Sequence, residues 1–502
     1  MSYLLKNKNI AALALCSSAL SPVLAQQTEQ AAQKPNVIYF YFDDLGYGEL
    51  GCYGQQKIKT PNIDKLAENG IRFTQHYTTF PVSAPARCGL MTGKHSGHSF
   101  IRGNYEMGGF SDNEEGGQMP LPEGTVTIAG LMKQAGYSTG AIGKWGMGMH
   151  YNAGNPNLHG FDYFYGYLDQ KQSHNYYPTH LWENGVWTKL NNEYVYPHQT
   201  LPKGSSPDEF EKFKGNDYAI DRMAEKTLDF IKNHKDEPFF LYLPYTTPHV
   251  SLQAPDDAVK EYIGMFDESP YYGEQGYLPC LYPYSTYAAM ITYTDKQIGR
   301  MVDLLKELGL YENTIIMVSS DNGTTFNGGV NREFFNSTAG LRGCKTDLYE
   351  GGISIPFIAH WSGKIPAGKI SNLVSAQYDL LATLADLTGI KTGWATDGIS
   401  FLPTLLGENG KQRTHEYLYF EYPENGGQIA VIKDQWKGIK RNVKKGKSEW
   451  ELYNLAIDRK ETVNLADKYP EKLAEFDKII GKEHWNATIN DWEFINPKLN
   501  KK

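Results

Sequence analysis

Val37-Ile38-Tyr39-Phe40-Tyr41-Phe42 is an unbroken apolar run of strand length, entered from Lys34-Pro35-Asn36 and ended by Asp43-Asp44. Apolar residues without alternation mark a strand buried on both faces, and such strands belong to sheets sandwiched between helices. Three further runs follow the same plan: Tyr137 to Ile142 leads into Gly143-Lys144, Pro238 to Tyr245 into Thr247-Pro248-His249, and Thr314 to Ser319 into Asp321-Asn322-Gly323. Helical periodicity separates them, clearest over Tyr218 to Asn233 and Tyr287 to Leu308. The pattern predicts an α/β fold with its sheet covered by helices on both faces. In open α/β sheets the ligand crevice lies beyond the carboxyl ends of the strands, and here the polar residues of interest fall at those ends.

At 502 residues the chain is longer than one ordinary core needs, so a large domain with a smaller one is expected. Beyond about Gly407 the character changes to short strands, Tyr417 to Glu421, Gln428 to Lys433 and Trp436 to Lys440, followed by a polar helical tail. Residues 26–407 are therefore read as the large domain, to which any catalytic role would belong, and 408–502 as a C-terminal α+β subdomain built on an antiparallel sheet. Lys6 and Lys8 precede the apolar Ile10 to Leu15, and Val23-Leu24-Ala25 offers small residues for cleavage before Gln26, so residues 1–25 read as a secretory signal. Periplasmic or secreted location follows. The apolar stretch is too short to span a membrane and none later replaces it, so stable membrane insertion is not expected. A lipid anchor at Cys16 is the lesser reading, because bulky Leu15 precedes it.

A net charge of -8 offers no long-range attraction for nucleic acid, so an anionic substrate has to be held by a local positive pocket. Cys52, Cys88, Cys280 and Cys344 are spread too widely for a disulfide scaffold or a zinc ribbon. The aromatic share of 13% suits a sugar-binding cleft, and it equally suits an ordinary core.

Ser83-Ala84-Pro85-Ala86-Arg87, followed by Cys88-Gly89-Leu90-Met91-Thr92-Gly93, can set a hydroxyl at a helix mouth with a guanidinium one turn later on the same side. That geometry suits an anion. The plainer reading makes Ser83 an N-cap on a helix whose first turn contains Pro85. Asp43, Asp44, Asp321 and Asn322 are oxygen donors without histidine or cysteine among them, a set that selects calcium or magnesium over zinc, although each pair alone also fits turn chemistry. Lys144 and Lys345 lie among glycines, which admit close approach, and either can face a pocket or simply solvent. His249 follows Pro248 at a strand end where an acid or base is useful, and His174 in His174-Asn175-Tyr176-Tyr177-Pro178 is a second candidate of that type.

Taken together, these segments resemble the type I sulfatases of the alkaline phosphatase superfamily, from Asn36 to about Ala466. Ser83-Ala84-Pro85-Ala86-Arg87 fits the family signature of cysteine or serine, any residue, proline, any residue, arginine. Asp43-Asp44-Leu45-Gly46-Tyr47-Gly48, Asp321-Asn322-Gly323, Leu341-Arg342-Gly343 through Glu350-Gly351-Gly352, and Glu451-Leu452-Tyr453-Asn454-Leu455 with Asn464-Leu465-Ala466 look like its other blocks. The resemblance implies an alkaline-phosphatase-like mixed sheet with a smaller C-terminal antiparallel sheet. It also implies that Ser83 is oxidised to formylglycine by a transiently bound serine-type maturation enzyme. One calcium, in preference to magnesium, is then expected on Asp43, Asp44, Asp321, Asn322 and the modified Ser83. Arg87 and Lys144 are expected to stabilise the nucleophile, Lys345 to neutralise sulfate, His249 to protonate the leaving alcohol, and His174 with Lys345 to bind substrate.

The substrate class suggested by the resemblance is an O-sulfated glycan, with galactose or N-acetylgalactosamine esters favoured. The family often has histidine two positions after the lysine, where this chain has Lys144-Trp145-Gly146, which leaves the base for the second half of the cycle unassigned between His174 and water. Ile353 stands where the family favours arginine, and Glu49 where it has aspartate. The alternatives are a phosphatase or phosphonate hydrolase of the same superfamily, disfavoured by Asp321-Asn322 in place of Asp-His, and a non-catalytic binder of sulfated glycans.

Overall fold

The computed structural model describes residues 34–391, 393–446 and 448–496. The expected signal over 1–25 lies outside the described residues. The main sheet contains β1 (Asn36–Phe42), β2 (Ile71–Tyr77), β3 (Ser138–Lys144), β4 (Tyr163–Tyr167), β5 (His180–Glu183), β6 (Val186–Lys189), β7 (Phe239–Leu243), β8 (Thr314–Ser320), β9 (Ser354–His360), β10 (Lys369–Ser371) and β11 (Ser375–Ala376). Their order is β10-β2-β9-β8-β1-β7-β3-β4-β5-β6, with β11 beside β2.

The opening run of the sequence is the middle of this sheet. β1 pairs in parallel with β7 on one side and β8 on the other, Val37 lying opposite Phe240 and Ile315. Its side chains alternate between two cores, Ile38, Phe40 and Phe42 on one face and Val37, Tyr39 and Tyr41 on the other, which is why no polar alternation is visible. The first core is closed by the helices Ala219–Asn233 and Pro283–Glu307, the second by Ile128–Gln134 and Asp379–Thr388. β9 runs antiparallel to both β2 and β8, so the sheet is mixed.

A 4-stranded antiparallel sheet follows, β12 (Leu418–Tyr422), β13 (Gln428–Lys433), β14 (Trp436–Arg441) and β15 (Trp450–Asn454). β15 is a strand that the sequence pattern does not separate from the tail. One face packs on the helix Pro470–Glu483 through Phe476, Ile479 and Ile480. The opposite face, with Leu418, Phe420 and Tyr422, meets Tyr77, Phe80 and Val82 just before Ser83. The second sheet thereby backs the segment that carries the signature. Among the described residues no helix is long and apolar enough to cross a membrane.

Candidate active site

Three parallel strands and one helix deliver the site. β1 ends into Asp43 and Asp44, β8 into Asp321 and Asn322, and β3 ends on Lys144. All five side chains are buried. Asp44 adopts φ 65°, a left-handed conformation that asparagine and aspartate tolerate better than most residues, and its amide donates to Asp321 Oδ1 at 3.0 Å. That turn brings the two strand ends onto one cluster.

The helix α1 (Ser83–Thr92) begins on Ser83 itself, and the cap position belongs to Val82, which makes no side-chain capping bond among the described residues. The N-cap reading of Ser83 is therefore corrected. Its hydroxyl donates instead to Asp43 Oδ1 at 3.0 Å. One turn on, Arg87 donates to Asp321 Oδ2 at 3.0 Å and to the Lys144 carbonyl at 2.9 Å, and its guanidinium lies 3.4 Å from Asp43 Oδ2. Lys144 Nζ donates to Asp43 Oδ2 at 2.7 Å, and Lys345 Nζ to Asp44 Oδ2 at 2.8 Å. Neither lysine is a surface residue.

His249 Nε2 lies 3.7 Å from Asp44 Oδ2, and its Nδ1 donates to the Val250 carbonyl at 2.5 Å. The nitrogen free to exchange a proton in the site is thus Nε2. His174 stacks on His249 with ring centroids 5.0 Å apart and planes 9° from parallel. All ten residues singled out in the sequence fall within this one network or stack on it.

Burial drives the Asp43 carboxyl up, yet the charges of Lys144, His249, Arg87 and Lys345 together hold it well below the usual carboxylate range. Asp321 moves the other way, to about 7, through burial and the neighbouring Asp43 charge. Burial, followed by the Lys345 charge, lowers His249 to about 4. Lys345 is raised because Asp44 outweighs its burial, whereas burial wins at Lys144 and lowers it.

The donor set fits a hard divalent cation. Asp43, Asp44 and Asp321 crowd carboxylate oxygens, and Asn322 Oδ1 is buried without a hydrogen-bond partner among the described residues while its Nδ2 donates to Asp44 Oδ1 at 2.6 Å. A buried amide oxygen left over after its amide nitrogen is satisfied is the kind of acceptor a cation completes.

Residues without a sequence signal also line the site. Tyr277 packs edge-on against His174 and His249, and His198 reaches His174 Nδ1 at 3.2 Å. Asn104 Oδ1 accepts the Ala84 amide at 3.1 Å at the start of α1. None of these lies in a motif, and only their loops' aromatic content hints at them. Gly146 adopts φ 73°, and a Cβ there would lie 3.0 Å from Gln170 Cγ, so Gln170 occupies the neighbourhood of the missing histidine.

The sulfatase family model matches residues 35–390, more than half of the chain. The chain belongs to the sulfatase family. This sulfatase also matches the C-terminal family of N-sulphoglucosamine sulphohydrolase over residues 344–483. It is 31% identical to an N-acetylgalactosamine-6-O-sulfatase of Bacteroides thetaiotaomicron, over 90% of this chain and 93% of that one. It is 29% identical to the N-acetylgalactosamine-6-sulfatase of Canis lupus familiaris, over 85% of this chain and 75% of that one. The crystal structure of Ps i-CgsB in complex with k-i-k-neocarrahexaose superimposes with TM-score 0.73 at 28% identity, covering 90% of this chain and 93% of that chain. The phosphonate monoester hydrolase of Agrobacterium radiobacter shares the fold, with TM-score 0.62 at 18% identity over 89% of this chain and 95% of that one. The fold and the enzyme class expected from the sequence are those of the family.

Proposed function

We propose that this sulfatase removes O-sulfate from a sulfated glycan, with galactose or N-acetylgalactosamine esters favoured, after Ser83 has been oxidised to formylglycine. The observation that carries the reading is the Ser83 hydroxyl, which leaves the cap position and points at Asp43 in a buried cluster of cations and carboxylates. Similarity to N-acetylgalactosamine-6-sulfatases and to a neocarrahexaose-bound structure supports the glycan.

Ser83 is 1% exposed, so its conversion by a serine-type maturation enzyme has to precede closure of the fold. The serine oxygen here stands in for one hydroxyl of the hydrated aldehyde. That aldehyde hydrate supplies a geminal pair of hydroxyls, one to attack sulfur and one to expel sulfate, where a plain serine would end as a stable ester. Asp43, Asp44, Asp321, Asn322 and position 83 would hold a calcium, which would supply positive charge to polarise the sulfate and acidify the attacking hydroxyl.

The chain's own residues do the rest. Asp43 Oδ1 accepts the hydrogen bond from position 83 and fixes the direction of attack. Arg87 and Lys144 hold Asp43 ionised for that role. Lys345 balances the anionic ester and the departing oxygen. With Nδ1–H committed to the Val250 carbonyl, His249 acts on the leaving alcohol only through Nε2, and it does so as the imidazolium, which first takes a proton from solvent onto that nitrogen. An anionic ester beside Lys345 offsets the charge that holds this imidazole down. Glycan-bound sulfate release by the matured protein and by Ser83→Ala tests the reading: turnover is expected only in the first, with both proteins equally folded.

A further inference from the structure

The loops beside His249 contain a hydrogen-bond chain whose donors and acceptors can be assigned one by one. The Tyr277 amide donates to His198 Nδ1 at 3.3 Å. A backbone N–H only donates, so His198 Nδ1 carries a lone pair and the proton of a neutral His198 sits on Nε2. His198 Nε2 lies 3.2 Å from His174 Nδ1 and is therefore the donor of that pair. His174 Nδ1 is in turn the acceptor, which places the His174 proton on Nε2. Desolvation lowers both imidazoles, that of His174 and that of the more exposed His198, so each is neutral above the ordinary histidine range and carries a single ring proton.

The chain is held from both ends. Tyr277 adopts φ 67°, a left-handed conformation that costs a tyrosine free energy, and it aims its amide at His198 while its ring closes on His174 and His249. On the other side the His174 carbonyl accepts the Ser251 hydroxyl at 2.7 Å, and that oxygen accepts the Leu278 amide at 3.2 Å. The short turn bearing His174 is thus tied to the loop bearing Tyr277. Among the described residues nothing pairs with His174 Nε2, and the ring lies over His249 beside the site.

We propose that His198 is a positioning residue that locks His174 in the Nε2–H tautomer, so that His174 donates a hydrogen bond to an acceptor oxygen of the sulfated sugar. This rests on the sulfatase reading above and on the substrate contact that the family resemblance implies for His174. A corollary is that His174 is not the base for the second half of the cycle, because its Nδ1 is occupied and its Nε2 already bears the proton.

The test uses the full-length, matured enzyme. Histidine-selective nitrogen NMR is expected to show His174 as the Nε2–H tautomer. His198→Phe keeps the ring packing against Tyr277 but removes the donor; it is expected to mix the His174 tautomers and to raise KM for the sulfated sugar about tenfold, with kcat unchanged. His198→Gln, whose amide donates to Nδ1, is expected to recover most of that loss. In a His174→Phe background the His198→Phe change is expected to have no further effect. An Nδ1–H tautomer in the wild-type protein, or independent effects of the two changes, overturns the proposal. An unaltered KM in His174→Phe overturns the substrate contact alone, and sulfate release by that protein shows separately whether the sulfatase reading stands.

Discussion

Ser83 donates to Asp43 Oδ1 at 3.0 Å while Lys144 donates to Asp43 Oδ2 at 2.7 Å, so one buried carboxylate joins the signature serine to a cation from another strand. Removing the cation leaves Asp43 buried with less to hold it ionised. Lys144→Met is expected to lower kcat about 10²–10³-fold, the size of effect seen when one preorganised electrostatic partner is lost. Steady-state sulfate release measures it, and a kcat within a factor of a few of wild type would sink the role given to Lys144.

Asn322 Oδ1 has no hydrogen-bond partner among the described residues, and three carboxylates converge beside it. Calcium is expected to copurify at one ion per chain, and chelation is expected to lower the melting temperature by removing a ligand that binds only the folded state. Asn322→Ala should weaken calcium binding about tenfold or more. Metal analysis with calorimetry across a calcium titration reads both, and a melting curve indifferent to chelator would contradict the assignment.

Gly146 sits at φ 73° with Gln170 at contact distance from its would-be Cβ. Restoring the family's histidine by Gly146→His is therefore expected to destabilise the fold by about 1–2 kcal/mol without raising turnover. Gly146→Ala should lose a similar amount, because the backbone conformation is the cause. Denaturant midpoints separate this from a purely functional defect.

His76 is fully buried between Phe73, Phe357 and Phe401, and burial lowers its imidazole to about 3. The unfolded chain binds a proton near pH 6.5 that the folded chain refuses, so this stabilisation is complete above pH 6.5 and fades as pH falls toward 3. By pH 5 the loss is about 2 kcal/mol. His76→Leu, which cannot take up that proton in either state, should show a flatter acid limb in urea melts at pH 7 and pH 5; identical limbs would show that His76 does not set it.

The sequence made the central strands legible because β1 and β8 are buried on both faces and so stay apolar throughout. The positions of Asp43-Asp44 and of Asp321-Asn322 are legible for the same reason, since each pair follows the end of such a strand. Whether the Ser83 hydroxyl caps its helix is not legible from its neighbours, because a cap and a site residue both put serine near a helix start; the contact that separates them is with Asp43, 40 positions away. The edge strands β4 to β6 and the antiparallel course of β9 depend on pairing between distant segments, which periodicity does not encode. His198 and Tyr277 are 79 positions apart and share no motif, so only the folded loops bring them together.

The central claim is that Ser83 becomes formylglycine, and the direct measurement is peptide mass analysis around Ser83 in natively produced, active protein, paired with sulfate release from sulfated sugars. A peptide short of a pair of hydrogens is expected, in proportion to specific activity. A fully active preparation whose Ser83 peptide is unmodified would contradict it.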